Sequence, residues 1–296
     1  MANAADNTTL QPGKNPAIGS TARVRDDRIY PVTRWVGAAI PPFLLAAFII
    51  LYMFPNNTKD LFAWTITPMM TPLLMGAGYI SGSYFFVRLV MGGRWHWFTL
   101  GFLPITAFTW FMGLATLLHW EKFNHSHVSF IAWLGLYLIT PFLVPALWLN
   151  NRGTDPGTPD PGDVILPNWV RIAAGIVGAV MLAIALFMFI FPDAAIAIWP
   201  WKLTPLTARV QAGWFALPAV VGLMYATDRR WSAWKIVLES QMIGIALILV
   251  GVVRAWSDFN QSRATTWLFV VGLSLLLLSL LVLYIYAQRR RGKSPV

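Results

Sequence analysis

Long apolar runs alternate with short polar segments along most of the chain. Each run is about 20 residues long, which is what an α-helix needs to cross a hydrocarbon core of about 30 Å. The runs occupy residues 35–54, 68–90, 98–118, 128–149, 170–190, 206–226, 234–253 and 266–287. This pattern predicts an all-α integral membrane protein with eight transmembrane helices.

A nine-residue segment occurs twice, which indicates an internal duplication. Residues 118–126 (LHWEKFNHS) match residues 254–262 (RAWSDFNQS), 136 positions later. Further matches at a spacing of 136 or 137 are Arg34 with Arg171, Thr67-Pro68 with Thr204-Pro205, and Arg94-Trp95 with Arg230-Trp231. Because four spans is an even number, both copies enter the membrane the same way up. The predicted fold is therefore two parallel-related four-helix repeats.

The polar segments divide the chain into five parts. Residues 1–33 contain no apolar run and are predicted to be a disordered cytoplasmic tail, and residues 289–296 are predicted to be a short basic tail. Residues 34–149 and 168–288 are the two four-helix units. Residues 150–167, rich in proline, glycine and aspartate, are expected to form an irregular extended linker.

Composition and charge support a membrane protein and set its orientation. The chain is 57% hydrophobic and only 11% charged, outside the range of soluble domains. Sixteen of the 22 Lys and Arg residues lie on the side of the termini and the linker. Because basic residues accumulate on the cytoplasmic side, both termini are predicted to be cytoplasmic in a cell (plasma or inner) membrane. The net charge of +10 is spread over many segments, which argues against nucleic-acid binding.

The duplicated segment contains a repeat signature of the form Trp-x-x-Phe-Asn. Its residues are Trp120, Phe123 and Asn124 in the first copy and Trp256, Phe259 and Asn260 in the second. Asparagine after an apolar helix is a frequent stop signal, so a structural corner is one interpretation. A pocket on the outer face is the other.

A histidine-rich loop occurs only in the first unit. His119, Glu121, His125 and His127 correspond to Ala255, Ser257, Gln261 and Arg263 in the second unit. Imidazole and carboxylate groups bind zinc, copper or iron, so a metal site or an axial haem contact is one hypothesis. The alternative is a polar interfacial loop, because the spacing matches no standard ligand signature. No other cofactor is predicted.

Polar residues inside or near the apolar runs suggest a substrate or ion pathway. Glu239 and Gln241 lie in the seventh run, Arg209 lies near the outer end of the sixth, and Arg254 at the outer end of the seventh. A carboxylate within a span is a candidate for a proton or ion pathway. The alternatives are a glutamate paired with a neighbouring arginine, and arginines that pair or reach toward headgroups.

These observations leave three functions open. The first is transport-type movement or binding of a small solute or ion at the interface between the repeats. The second is a non-catalytic membrane subunit or scaffold, whose partners would be the lipid bilayer, a membrane partner subunit or a second copy of the chain. The third is a metal- or haem-dependent membrane oxidoreductase. The sequence contains no phosphate-binding loop, metalloprotease motif or recognisable set of serine, histidine and acid, which argues against an enzyme.

Overall fold

A computed structural model describes residues 25–292 of the chain, and these residues form helices without β-strands. The first half contains α1 (Pro31–Ala39), α2 (Pro41–Phe48), α3 (Thr58–Leu61), α4 (Met70–Met91), α5 (Thr99–Leu118) and α6 (Val128–Asn151). The second half contains α7 (Asn168–Ile190), α8 (Pro192–Ile198), α9 (Pro205–Thr227), α10 (Trp231–Arg254) and α11 (Ala264–Arg290). Short 3-10 turns lie between several of them.

Eight of the helical stretches in residues 25–292 are long and apolar enough to cross a membrane. The first is Pro31–Met53, in which α1, α2 and a π-helical turn follow one another, and the fourth is Val128–Thr154. The other six are α4, α5, α7, α9, α10 and α11. The prediction of an all-helical chain with eight helices long and apolar enough to span a membrane is confirmed for the described residues, and these helices indicate a multi-pass membrane protein.

Four spans form the centre of the bundle and four lie around them. In the centre, α4 packs along α10 and α5 packs along α9. The outer helices cover this core: α2 packs on α4, α6 on α5, α7 on α9, and α11 on α10. About half of the most apolar part of each central helix is buried, whereas none of the corresponding part of α11 is. The central helices are therefore where an internal site is expected.

Two ends of the bundle can be distinguished. The end that carries the 92–98 loop, residues 25–30 and the 150–167 segment is called the linker end. The opposite end carries both Trp-x-x-Phe-Asn segments and is called the signature end. Met70 and Asp258 join the halves at the signature end, where the Met70 amide donates to the Asp258 carboxylate at 2.8 Å.

Two predicted boundaries differ from the structure. The ordered chain extends to the N-terminal side of residue 34, since Asp27 is buried and α1 begins at Pro31, where proline suits the first turn of a helix. The 150–167 segment is also not a loose tether. Asp160 and Asp163 in it are buried, and the Leu166 amide bonds to the backbone oxygen of Arg229 at 2.8 Å. The remainder of the predicted tails, residues 1–24 and 293–296, lies outside the described residues.

Candidate functional site

A cavity of about 70 Å³ lies among the helices of the first half. Its walls come from α2, α4, α5 and α6, while Trp214 and Leu217 of α9 close one side. The lining is uncharged and mostly apolar. Its hydroxyl groups belong to Tyr79, Thr109, Tyr137 and Thr140. The cavity is partly open, so it is a recess rather than a sealed void.

Two glycines on α4 make room for the recess. A Cβ atom on Gly78 would lie 2.1 Å from the ring of Trp214, so any side chain there would displace the indole. Gly82 is less constrained, since its Cβ would lie 3.3 Å from the Leu44 side chain. The residues 137 positions later are Phe215 and Ala219, so the second half lacks these glycines.

Residues that line the recess carry hydrogen-bond donors without acceptors. The hydroxyls of Tyr79 and Tyr137 are 2.9 Å apart and both tyrosines are buried. One hydroxyl can donate to the other, which leaves the second proton with no acceptor among residues 25–292. The indole N–H of Trp214 is also buried and unpaired there. Because unpaired buried donors are costly, these two donors favour a bound acceptor oxygen.

The remaining hydroxyls of the recess are engaged within their own helices. The Thr109 hydroxyl donates to the Thr106 carbonyl at 3.0 Å, and the Thr140 hydroxyl donates to the Leu136 carbonyl at 2.6 Å. Their protons are therefore not available to a ligand.

The four predicted pathway residues lie at separate places, and none lines the recess. Glu239 accepts hydrogen bonds from Tyr84 at 2.6 Å, from Tyr284 at 2.9 Å and from Arg88 at 3.0 Å. This geometry corresponds to the alternative interpretation, a glutamate paired with a neighbouring arginine. Gln241 accepts from Tyr225 at 3.2 Å.

The two predicted pathway arginines bond to backbone groups near the signature end. Arg209 donates to the Phe189 carbonyl at 3.1 Å. Arg254 donates to the Tyr52 carbonyl at 2.8 Å, and its guanidinium lies 5.1 Å from the centre of the Tyr52 ring. These contacts hold side chains against neighbouring helices. The positions of these four residues therefore do not support a continuous polar pathway through them.

The repeat signature forms a similar corner in each half. The Phe123 ring lies 5.0 Å from the Trp64 ring, and the Asn124 amide donates to the Ala63 carbonyl at 2.8 Å. In the second half, the corresponding contacts are Phe259 with Trp201 at 5.1 Å and the Asn260 amide with the Pro200 carbonyl at 2.8 Å. Trp120 and Trp256 each begin a 3-10 turn just before the corner. These contacts are those of a structural corner.

The histidine loop does not converge on one point. Burial and the positive charge of Arg209 lower the pKa of His119, so its neutral Nε2 accepts from Arg209 at 2.7 Å. His125 stacks on Trp120 with ring centres 4.9 Å apart. His127 contacts the Asp60 carbonyl through Nε2 at 3.1 Å.

The fourth member of the predicted metal set, Glu121, lies 3.9 Å from Lys122 and is largely exposed. Within residues 25–292, no three histidine, cysteine or acidic side chains are placed to hold a metal ion. The metal or haem hypothesis stays a prediction that this arrangement does not support.

A buried polar network at the linker end is absent from the sequence-based prediction. It is centred on His96, which is 1% exposed. His96 Nδ1 lies 2.5 Å from Asp27 Oδ2, and Nε2 lies 2.9 Å from the Ser232 hydroxyl. The Ser232 hydroxyl also lies 2.5 Å from Asp163 Oδ2, to which it donates. His96 and Ser232 are 136 positions apart, so the two halves meet at equivalent residues.

This network resembles a serine, histidine and aspartate set only in its distances. The Ser232 proton is engaged by Asp163, and the group is enclosed by the 25–30 and 150–167 segments. A nucleophilic serine must be reachable by substrate and must give its proton to histidine. The network is therefore structural: it joins the 25–30 and 150–167 segments to the helices that carry His96 and Ser232. The signal in the sequence was weak, because its residues come from four distant segments.

Two arginines at equivalent positions of the two halves add ion pairs to this network. Arg94 pairs with Asp160, which also accepts from the Trp97 indole at 2.9 Å. Arg230 bonds to Asp155 through two nitrogens, at 2.7 and 2.8 Å, and to Asp228 at 2.6 Å.

Ion pairing and burial act in opposite directions on these charges. Burial alone would raise the pKa of Asp155, but hydrogen bonds from Arg230 and from the Gly157 amide outweigh it and lower the pKa. Burial opposes the charge of Arg230, yet its bonds to Asp155 and Asp228 raise its pKa. Both groups therefore stay charged near neutral pH.

Comparison with models of protein families, with curated proteins and with solved structures found no match.

Proposed function

We propose that this protein binds a small, largely apolar molecule that carries a hydrogen-bond acceptor oxygen, such as a carbonyl. The observation that carries the proposal is the recess, where the Tyr79 and Tyr137 pair and the Trp214 indole offer two donors with no acceptor. An apolar cavity of about 150 Å³ admits benzene. A recess of about 70 Å³ therefore suits a group of only a few heavy atoms.

The rest of the ligand lies in the bilayer. The recess is partly open, and α2 and α6 pack on α4 and α5 rather than on each other along their lengths. Because the recess lies among membrane-spanning helices, we infer that its open side faces lipid and that the ligand reaches it from the bilayer. Binding of a small solute, the first of the three functions, is thereby narrowed to an apolar one. An ion in this uncharged recess would lose its hydration without compensation.

We also propose that the chain consists of two parallel four-helix repeats, with both termini on the cytoplasmic side of a cell membrane. The matched Asn124 and Asn260 corners, and the contact between the equivalent residues His96 and Ser232, support the duplication. The 16 to 6 division of basic residues supports the orientation.

Topology mapping tests both statements. Single cysteines are placed at Asn124, Asn260 and the exposed Thr158 in the naturally cysteine-free chain and labelled in intact cells with a membrane-impermeant maleimide. Labelling is expected at positions 124 and 260, and at position 158 only after the membrane is opened. Labelling of Asn124 and Asn260 from opposite sides would contradict the parallel repeats.

A matched pair of probes tests the binding proposal. The purified protein is heated with 2-undecanone or with 2-methyl-1-undecene, which has a methylene group in place of the carbonyl oxygen. Ligands that bind the folded state raise the unfolding midpoint. The ketone is expected to raise the midpoint more than the alkene, since only the ketone accepts a hydrogen bond.

Three variants locate the effect. Gly82→Leu fills the recess and is expected to abolish the ketone-specific shift. Tyr79→Phe combined with Tyr137→Phe removes the hydroxyl donor, which either change alone would leave in place. The double change is expected to weaken ketone binding about fivefold, the usual net value of a neutral hydrogen bond being about 1 kcal/mol. The control Tyr225→Phe changes a buried tyrosine outside the recess and should leave binding unchanged. Equal shifts with both probes, or an unchanged shift in Gly82→Leu, would refute the proposal.

The second candidate function, a non-catalytic membrane subunit, rests on α11. The most apolar part of this helix has no buried residue, and α11 packs mainly against α10. A span that buries so little of its own surface is free to pack against another membrane helix. Cross-linking from single cysteines along α11 in native membranes tests this. If no protein is cross-linked, the subunit function is contradicted and the ligand-binding function is the one that stays.

A further inference from the structure

A cluster of positive charge lies where α4, α10 and α11 meet at the linker end. Arg88 Nη1 is 3.0 Å from Glu239 Oε2, and Lys235 Nζ is 3.9 Å from Glu239 Oε1. Arg291, the residue after α11, lies at the same end, since the amide of the next residue, Gly292, donates to the Gly162 carbonyl at 3.0 Å. These three cations and one carboxylate carry a net charge of +2.

Glu239 positions these cations without neutralising them. Its carboxylate accepts from the hydroxyls of Tyr84 and Tyr284 as well as from Arg88. Gln288 donates to the Tyr284 hydroxyl at 3.0 Å and so holds that tyrosine in place. The carboxylate is thus fully used by groups that fix its orientation.

The cations retain donors for a further anion. The Arg88 side chain is 36% exposed and that of Lys235 is 23% exposed. Arg88 uses only Nη1 in its bonds to Glu239 and Tyr84. Within residues 25–292, its other guanidinium nitrogens and the Lys235 ammonium have no hydrogen-bond partner.

The depth of the cluster matches that of lipid phosphates. Arg88 lies three residues before the end of α4, and Lys235 lies four residues after the start of α10. At 1.5 Å per residue, both are about 6 Å or less from the helix ends. Next to them, α11 presents exposed apolar side chains, among them Leu278 and Val282, against which acyl chains can lie.

The corner that the repeat makes equivalent, formed by α9, α5 and α6, lacks this arrangement. The residues that correspond to Arg88, Lys235 and Glu239 are Tyr225, Thr99 and Leu103. The charges are therefore a property of one corner and not of the bundle as a whole.

We propose that Arg88, Lys235 and Arg291 bind the phosphate headgroup of an anionic phospholipid at the linker end, where α4, α10 and α11 meet. Basic pockets between membrane helices recognise anionic headgroups through charge and hydrogen bonds. The neighbouring α11 surface provides the apolar contact that a free phosphate cannot use. This site is separate from the recess and does not depend on the ligand proposed there.

Native mass spectrometry of the full-length purified protein tests the proposal. Bound lipid is counted during titration with phosphatidylglycerol or with phosphatidylcholine of the same acyl chains. The test variant is Lys235→Gln with Arg291→Gln, which leaves the Arg88 and Glu239 pair intact so that the fold is retained. The matched control is Arg152→Gln with Arg229→Gln, which removes the same charge from exposed positions at the same end.

Phosphatidylglycerol is expected to bind the wild type more tightly than phosphatidylcholine. In the test variant, its affinity should fall about tenfold or more, since each basic residue near a headgroup contributes about 1 kcal/mol. The control should keep the wild-type affinity. An equal fall in both variants, or equal binding of the two lipids, would overturn the proposal. Displacement of phosphatidylglycerol by an equal concentration of inorganic phosphate would overturn the lipid assignment in favour of free phosphate.

Discussion

Replacing Arg230 with methionine is expected to lower the free energy of unfolding by about 3–5 kcal/mol, the usual cost of removing one partner from a buried ion pair. Arg230 is 6% exposed and binds both Asp155 and Asp228. Methionine keeps much of the volume of the side chain but leaves two partly buried carboxylates without their cation. The loss therefore arises from uncompensated charge and not from a cavity.

Titration with SDS in mixed micelles measures this effect at pH 7. Arg229→Met is the matched control, because Arg229 is exposed and precedes Arg230 in the chain. It should change stability by no more than about 0.5 kcal/mol. Adding Asp155→Asn and Asp228→Asn to the Arg230 variant should restore part of the loss, since the unpaired charges are then gone. A loss of the same size in both arginine variants would contradict the ion-pair explanation.

The pH dependence follows from the lowered pKa of Asp155. A carboxyl whose pKa is lower in the folded than in the unfolded state stabilises the fold above its unfolded pKa, and this contribution is lost as pH falls through the folded value. The wild type should therefore lose stability below about pH 4. In Arg230→Met, Asp155 has no cation nearby, so protonation removes an unpaired negative charge and its cost. The difference in the free energy of unfolding between the wild type and the variant should therefore shrink as pH falls.

The spans could be predicted from sequence because the bilayer fixes their length. Each helix must satisfy its own backbone groups in lipid, so about 20 apolar residues are required wherever the chain crosses. Boundaries such as Thr204-Pro205 were also readable, since threonine caps α9 and proline occupies its first turn.

The recess could not be predicted because its parts come from different helices. Gly78 and Gly82 have the spacing of a helix-packing motif, in which small residues let two membrane helices approach closely. In the structure, Gly78 instead receives the ring of Trp214, 136 residues away. Tyr79 and Tyr137 are 58 residues apart, and neither has a polar neighbour in sequence that marks it as a site.

Composition misled the prediction for the 150–167 segment. Proline, glycine and aspartate are typical of exposed linkers. Here the aspartates are partners in ion pairs, Asp160 with the exposed Arg94 and Asp155 with the buried Arg230. The same composition is therefore compatible with a flexible, solvated linker or with an ordered segment. Which of the two forms depends on cations that are distant in the sequence.

Replacing His96 with phenylalanine is expected to lower the free energy of unfolding by about 3 kcal/mol, because it keeps a ring but leaves two buried side chains without a hydrogen bond, each at a cost of about 1–3 kcal/mol. Asp27 then loses its bond to Nδ1 and Ser232 loses its bond to Nε2. His125→Phe, at the exposed signature end, is the matched control and should stay within about 0.5 kcal/mol of the wild type.

The His96 contacts also hold the 25–30 and 150–167 segments against the bundle, through Asp27 in the first segment and Asp160 in the second. Limited proteolysis of the purified protein should therefore cut residues 150–167 faster in His96→Phe than in His125→Phe. A double-mutant cycle with Asp27→Asn isolates the contact, and a coupling of about 1–3 kcal/mol is expected for residues that touch. If the effects are strictly additive and cleavage is unchanged, the two side chains do not interact. Another contact would then hold the 25–30 and 150–167 segments in place.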